Sequence, residues 1–374
     1  MAVSKHVLNK INKYLEKQGV DKRITQGADN ISVNFIPTGI PEIDYILSGG
    51  VPQGRVIHLY GQKSSGKSWL CQRTIAQAQN MGQTAAFLDC EGTFSTDWAK
   101  NLGVNVDDLI YIPVSDAEVT LQVLRELVES KQVDVIVLDS IAALVPKDEL
   151  NKGFDEEAKM AGTARLMSKA MRVLNARGAG KVTMLFINQI RDSMSQYEAS
   201  ATPGGKAVGF YSTTEVNVTR GKAIVKGTGD KAENVGYEMR VVCDKNKVGV
   251  PKRKCVLKVY NDGSIDLEDM IVNMASANDI YGQFTKSGNS YLLGEDKIAG
   301  KREEFVEYLK ANPEEYQKLS NTVVAELLNK DKSKIKIEEV EELTEEELIE
   351  KLQEGDTQDE VTEFISDTVP EEEN

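Results

Sequence analysis

Between positions 35 and 190 the chain alternates short apolar runs with longer stretches of helical periodicity. Runs rich in aliphatic and β-branched residues fall at 55–60, 84–88, 109–114, 133–138 and 182–187, and helical patterns at 67–81, 97–102, 119–130 and 158–176. Strands separated by helices of this length predict βαβ units and a mostly parallel, buried sheet. Ligands of such sheets bind at the carboxyl ends of the strands. From 210 to 260 the texture changes to strands and turns, at 214–219, 223–225, 237–244 and 254–260, which predicts antiparallel strands extending the sheet. A small mixed unit follows Met270, with helices at 301–310 and 313–328. The second opens with Asn312 as its cap and Pro313 at its first helical position. Near the start, Ser4 can cap a helix whose Val7, Leu8, Ile11, Tyr14 and Leu15 form one apolar stripe. That stripe packs on the chain's own core or on another subunit. The polar stretch 18–34, with Gly19, Gly27 and Asn30, reads as a linker.

Composition narrows the class. The 374 residues are 40% hydrophobic and 28% charged, the make-up of a folded protein. No apolar run approaches the ~20 residues that span a bilayer, and the N-terminal segment lacks a signal-peptide core, so a soluble, cytoplasmic protein without membrane contact is expected. Four scattered cysteines without a CxxC pair argue against a zinc ribbon or disulfide scaffold, and two histidines exclude most histidine chemistry. The net charge of -14 is unevenly spread. Residues 337–374 hold 17 acidic residues against the single Lys351, while residues 1–336 hold 42 acidic and 44 basic residues. A near-neutral body with an acidic tail leaves nucleic acid open as a partner.

The strongest chemical signal is Gly61-Gln62-Lys63-Ser64-Ser65-Gly66-Lys67-Ser68, a complete GxxxxGK[ST] between a strand and a helix. Its backbone N–H groups and helix N-terminus suit phosphate, Lys67 reaches the β/γ-phosphates, and Ser68 can ligate Mg²⁺. The run 133–140 is a buried strand ending in Asp139, placed to hold Mg²⁺ from its second shell. Glu91 and Gln189 follow two further strands on the same rim. Glu91 could orient or deprotonate water, and Gln189 could contact the γ-phosphate through its amide, although each alone is more often a solvated strand end. On one helix Arg165, Ser168, Lys169 and Arg172 form a basic and polar face beside the apolar Met167, Met171 and Leu174. That face fits a phosphate backbone, or simply solvent. The aperiodic segment 191–206 directly follows Gln189 and contains Pro203-Gly204-Gly205; loops of that length inside a domain are usually functional or disordered.

These residues together resemble the bacterial RecA DNA recombinases over nearly the whole chain. The matching stretches include GQKSSGKS at 61–68, FLDCEG at 87–92, VDVIVLDSIAALVPK at 133–147, MSKAMRVL at 167–174, FINQIR at 186–191, PGG at 203–205, DKNKVGVPK at 244–252 and LKANPE at 309–314. The resemblance implies an α/β fold: a P-loop RecA-like ATPase core with a mainly parallel sheet, an N-terminal docking helix, a small α+β C-terminal domain and an acidic flexible tail. The expected divisions are 1–34 (helix and linker for subunit docking), 35–269 (ATPase and DNA-binding core), 270–334 (duplex-binding domain) and 335–374 (tail). It implies ATP and Mg²⁺ bound by Lys67, Ser68 and Asp139, Glu91 as general base, and Gln189 as γ-phosphate sensor. Lys245 and Lys247 resemble two lysines that reach the neighbouring subunit's ATP, and Phe210 an interface reporter. Trp98 stands where the family has an aromatic near adenine; packing against its own helix is the alternative.

Residues 151–162 and 191–206 resemble the two DNA-binding loops, with Met160 as an inserted apolar side chain and Arg191, Gly204, Gly205 and Lys206 in the second. Arg165, Ser168 and Arg172 match backbone-contacting positions, and Lys301 a duplex-binding lysine; otherwise Lys301 is a cation in the first turn of a helix, slightly unfavourable there. The implied partners are single-stranded DNA, double-stranded DNA and copies of the same chain in a helical filament, and the implied activity is homologous pairing and strand exchange. Departures are a shorter second loop, Lys206 for Asn or Arg, Gly209 and Glu215 for basic residues, and Ser95 for an acidic one. Such a divergent member fits a phage origin, in which case its location is the host cytoplasm. In the tail, Thr344 and Glu347 can form a capping box with Leu343 and Leu348 as staple. The tail is either a solvated appendage or a polyanion mimic that covers basic DNA-binding surface. A ring-shaped motor on the same core and a non-catalytic DNA-binding scaffold are the rivals.

Overall fold

The computed structural model describes residues 5–17, 33–151, 162–178, 180–190, 204–227 and 231–337. Ser4, Met160, Arg191, most of the 18–34 linker, most of both expected DNA loops and the whole tail beyond residue 337 lie outside them. In chain order the elements begin with α1 (Lys5–Lys17), which buries none of its residues. A two-stranded antiparallel sheet, β1 (Phe35–Ile36) with β2 (Val51–Pro52), flanks α2 (Pro41–Ile46). The alternating region then runs β3 (Val56–Gly61), α3 (Lys67–Asn80), β4 (Ala85–Asp89), α4 (Thr96–Asn101), β5 (Ile110–Pro113), α5 (Ala117–Ser130), β6 (Val135–Asp139), α6 (Lys147–Leu150), α7 (Gly162–Gly178) and β7 (Thr183–Gln189). After α8 (Ala207–Tyr211) come three long strands, β8 (Thr214–Lys226), β9 (Glu233–Asn246) and β10 (Lys254–Tyr260).

One eight-stranded sheet takes the order β10-β9-β8-β3-β7-β6-β4-β5. Its members from β8 to β5 pair in parallel, and β9 and β10 add antiparallel strands at one edge. The strands of the parallel part alternate their burial between two faces. Ala86, Leu88, Ile136, Leu138, Met184 and Phe186 point to the face covered by α5 and α7, where Leu124, Val128, Met167, Met171 and Leu174 meet them. Phe87, Val135, Val137, Leu185 and Ile187 are equally buried and so occupy the opposite face, the side on which α3 packs against β3, β4, β6 and β7. A helix on each side explains why these strands read as unbroken apolar runs.

Two expectations change. The separate strands at 214–219 and 223–225 are one continuous β8, whose pairing with β9 shifts register between Arg220 and Ala223, so the local kink at Gly221 mimicked a turn in the sequence. The boundary expected at 269–270 falls inside α9 (Leu267–Asn278), and that at 334–335 inside α11. Beyond α9 stand β11 (Phe284–Ser287), β12 (Ser290–Leu293) and β13 (Asp296–Ala299), an antiparallel trio, then α10 (Arg302–Ala311) and α11 (Pro313–Ile337). Phe305 stacks on Tyr291 with centroids 4.2 Å apart and meets Phe284 edge-on, giving this module an aromatic core. Asn312 donates its side-chain amide to Tyr308 O (2.8 Å), closing α10, while its carbonyl accepts the first bonds of α11. Residues 1–325 form one contact unit and residues 326–374 a second, described only as the end of α11.

Candidate nucleotide site

The sheet register brings the chemistry together. Gly61 lies opposite Gln189 in the β3–β7 pair, and Asp89 opposite Asp139 in the β4–β6 pair, so the carboxyl ends of four strands finish on one rim. The loop 62–66 leaves that rim and turns into α3. Gly66 takes φ 101°, a region that favours glycine, and a Cβ there would run into Met239 Sδ with Tyr237 Oη 3.2 Å away. At Gly61 a Cβ would meet the Val218 carbonyl of β8. Both glycines therefore let the loop lie flat against β8 and β9.

Lys67 is buried at the start of α3 and folds back on its own loop, donating to Gly61 O (3.0 Å), Gln62 O (2.6 Å) and Ser65 Oγ (3.4 Å). Burial lowers its pKa, while the nearby carboxylates of Asp139 and Glu91 oppose that shift. Asp139 at the end of β6 is pushed up to about 6, mainly by burial and then by the charges of Glu91 and Asp89, against a hydrogen bond from Ser68 and the pull of Lys67. A hydroxyl, one buried carboxylate and a lysine at a phosphate-loop motif fit a nucleoside triphosphate with Mg²⁺. That cation prefers phosphate and water oxygens to an all-protein cage. Among the described residues no group of three or more His, Cys, Asp or Glu side chains could hold a metal without such help.

Glu91 is the node of the rim. Its Oε1 accepts from Ser140 Oγ (2.7 Å) and from the Gln189 side-chain amide, tying the ends of β4, β6 and β7. The loop that presents it is shaped by buried Asp89, whose carboxylate accepts from the backbone of Gly92 (2.8 Å) and Phe94 (3.0 Å) and from Tyr111 Oη (3.1 Å). The resulting cleft of about 390 Å³ is lined by the loop, Ser68, Glu91, Thr93, Asp139 and Gln189, with Arg220 and Tyr237 from the antiparallel strands. Arg220 sits 4.0 Å above the Tyr237 ring and donates to Ser64 O (3.4 Å). Ser140, Asp89, Arg220 and Tyr237 were not among the sequence candidates. A strand-end DS and a DxE pair were visible as signals for the first two, whereas nothing local marks the others.

The remaining candidates spread over three places. Trp98, on α4, does not line the cleft; it is half-buried beside the turn at Gly263, where a Cβ would stand 3.0 Å from Cη2, and Trp69 Nε1 donates to Gly263 O at 3.0 Å. Ser95 caps α4 by accepting from Trp98 N at 3.3 Å. Lys245 and Lys247, at the end of β9, do not line their own chain's cleft either. Lys247 is exposed, while Lys245 Nζ donates to Gly209 O at 2.6 Å. Phe210, on α8, is 73% exposed. On α7 Arg165, Ser168, Lys169 and Arg172 are all exposed, opposite buried Met167, Met171 and Leu174. Gly204 and Gly205 have φ of 78° and 71°; a Cβ at Gly204 would meet Ile141 and Met167 and one at Gly205 would meet Ala164, so these two residues lie close to α7. Lys206 is exposed at the start of α8, and Lys301 is exposed just ahead of α10.

Comparison with known proteins follows the same outline. The family model for the RecA N-terminal domain matches residues 2–266. Protein RecA of Listeria seeligeri is 36% identical over 339 residues, covering 90% of this chain and 94% of that protein. Protein RecA of Chloroflexus aurantiacus is 35% identical over 315 residues (83% and 88%), and that of Caldanaerobacter subterraneus 38% over 288 residues (76% and 82%). The crystal structure of the RadB recombinase aligns with 61% of this chain and 98% of its own at a TM-score of 0.47 and 20% identity.

Proposed function

The chain belongs to the RecA family, and from that premise we infer that it is an ATP-dependent homologous DNA recombinase, a DNA-dependent ATPase that forms helical filaments on single-stranded DNA and catalyses homologous pairing and strand exchange. The observation that carries the catalytic part is the Glu91 node: a carboxylate fixed by Ser140 and Gln189 on the rim above a complete phosphate loop. In this reading Glu91 orients and deprotonates the attacking water. Gln189, bonded to the same carboxylate, senses whether a γ-phosphate is present and passes that state to the segment after it. Lys67 and the loop amides hold the phosphates, and Ser68 with Asp139 would hold Mg²⁺, which neutralises phosphate charge when bound.

The filament part rests on groups that stand outside the cleft. Lys245 and Lys247 complete the nucleotide site of an adjoining protomer, with Phe210 at the same junction. α1 exposes Val7, Ile11 and Tyr14 and carries lysines between them. The apolar groove along α5 at Val119, Val123 and Leu127, edged by Glu118 and Glu126, offers another copy's α1 both an apolar and a complementary charged surface. The exposed face of α7, with Lys206, takes the phosphate backbone of the bound strand, and Lys301 takes duplex. Among the described residues no helix is long and apolar enough to cross a membrane, and a cytoplasmic location is proposed from the family.

The test measures ATP turnover with and without single-stranded DNA while the assemblies are imaged. Open filaments with DNA-stimulated turnover are expected; closed rings or absent turnover would reject the reading. Lys245→Ala with Lys247→Ala should abolish cooperative coating of oligonucleotides while leaving a folded, ATP-binding protomer, and intact coating would remove the two lysines from the shared site.

A further inference from the structure

Three strands place His58, Glu215 and Lys245 in one row. His58 on β3 lies opposite Glu215 on β8, and Glu215 lies opposite Lys245 on β9. His58 is buried with neither ring nitrogen hydrogen-bonded, so the carboxylate is not bonded at this end of the row. Glu215 turns to the other end. Its Oε1 receives Ser212 Oγ at 3.0 Å and lies 3.8 Å from Lys245 Nζ, with the two ionic side chains only 22% and 30% exposed. Lys245 Nζ donates to Gly209 O at 2.6 Å, and the buried Ser212 hydroxyl reaches the same carbonyl at 2.7 Å. The ammonium is thus held by a carbonyl of α8 and a carboxylate of β8. Gly209 makes room for this arrangement, because a Cβ there would stand 2.7 Å from Glu215 Oε1. The next residue of the same helix is Phe210, the most exposed aromatic of the described core.

We propose that Glu215 is a positioning residue that parks Lys245 on its own protomer, and that engagement of Phe210 by an adjoining protomer shifts α8 and releases the lysine towards the neighbour's nucleotide. This deepens the reading in which Lys245 acts across the junction, and rests on it. The consequence is a bias: Lys245 leaves an anionic partner before it meets phosphate, so a lone protomer offers its cation less readily and coating of DNA is favoured where two copies meet. A partly exposed ion pair contributes modestly, so the latch changes the midpoint of assembly by about two- to fivefold rather than by orders of magnitude.

The experiment titrates full-length protein onto a fluorescent oligo(dT) with a non-hydrolysable ATP analogue, for wild type, Glu215→Gln, Gly209→Ala, Lys245→Ala and the Glu215→Gln/Lys245→Ala double variant. Glu215→Gln keeps the shape and the Ser212 bond but removes the charge, and the coating midpoint should fall about two- to fivefold. Gly209→Ala, which displaces the carboxylate by sterics alone, should move it the same way and covers a folding failure of the first variant. The double variant should coat no better than Lys245→Ala, and recovery of coating by Glu215→Gln without the lysine would overturn the latch. A Glu215→Gln midpoint equal to or above wild type, while Lys245→Ala abolishes coating, overturns the latch but leaves the shared site standing. Wild-type coating by Lys245→Ala overturns the shared site, and the latch with it.

Discussion

Replacing Ser140 with alanine isolates the orientation of Glu91, the carboxylate proposed to activate water. Ser140 does not line the cleft; its hydroxyl donates to Glu91 Oε1 at 2.7 Å from a fully buried position, sharing that oxygen with the Gln189 amide. Removing it leaves Glu91 held by one donor, free to rotate about its own side-chain bonds. A hydrogen bond to a charged group is worth about 1.5–3 kcal/mol, and each ~1.4 kcal/mol is tenfold in rate, so turnover should fall by roughly 10- to 100-fold. The loss should fall on kcat, because ground-state binding of nucleotide is left to Lys67, Ser68 and the loop. The assay is DNA-stimulated ATP hydrolysis over a range of ATP, paired with equilibrium nucleotide binding and oligonucleotide coating. In a Glu91→Gln background the serine change should add little, since the group it positions no longer acts. A kcat within about threefold of wild type, or a loss carried wholly by KM, refutes the view that Ser140 works through Glu91.

Three further outcomes follow, two from the geometry and one from the charge distribution. Gly66→Ala places a methyl against Met239 Sδ in a φ region that strains L-residues, so thermal melting should show a loss of about 1–3 kcal/mol and the stabilisation by added ATP should shrink; an unchanged melt with normal ATP stabilisation contradicts the close approach of loop and β9. His58 is buried with its pKa pushed down to about 4, from the usual 6.5, by burial and then by the charge of Lys245. The folded state therefore resists protonation that the unfolded chain accepts, and stability is full above pH ~6.5 and falls as pH drops towards 4, by roughly 3 kcal/mol at most. His58→Leu should flatten that acid limb in urea melts between pH 4 and 7, and an unaltered limb would assign it to other groups. Deleting residues 337–374 leaves a body of 42 acidic and 44 basic residues, so duplex binding should strengthen and need less Mg²⁺; unchanged binding would mean that the tail does not cover the basic surface.

Much of the site was legible because a parallel sheet makes position along the chain equivalent to position in space. Once the runs ending at Tyr60, Leu88, Leu138 and Ile187 were strands of one sheet, the residues just past them had to share a rim, and Lys67, Glu91, Asp139 and Gln189 do. The periodicity of α7 likewise separated its buried methionines from its exposed cations. α9 was equally readable, with Leu267, Met270, Ile271, Met274 and Ala275 at helical spacing, yet the change of texture near Met270 drew the boundary through it. What stayed hidden depends on contacts between distant strands. Arg220 and Tyr237 enter the cleft because the antiparallel β8 and β9 fold over the phosphate loop, and no local pattern encodes that approach. Trp98 is a different case: its motif position was clear, and its ring lies beside the Gly263 turn rather than in the lining of the phosphate-loop cleft.

The two departures at Gly209 and Glu215 illustrate why a substitution must be weighed in the fold. Along the chain they are two isolated losses of positive charge six residues apart. In the sheet they are one change, since the missing side chain at 209 is the space that the carboxylate at 215 occupies, and the cation it meets is one assigned to the neighbour's nucleotide. A basic side chain at 215 would repel Lys245 across the strand pair, whereas glutamate attracts it. The sign of that cross-strand interaction decides whether the lysine rests on its own protomer or leans outward. On the proposed latch, these two positions would set how readily copies of this chain join, although neither lines the cleft.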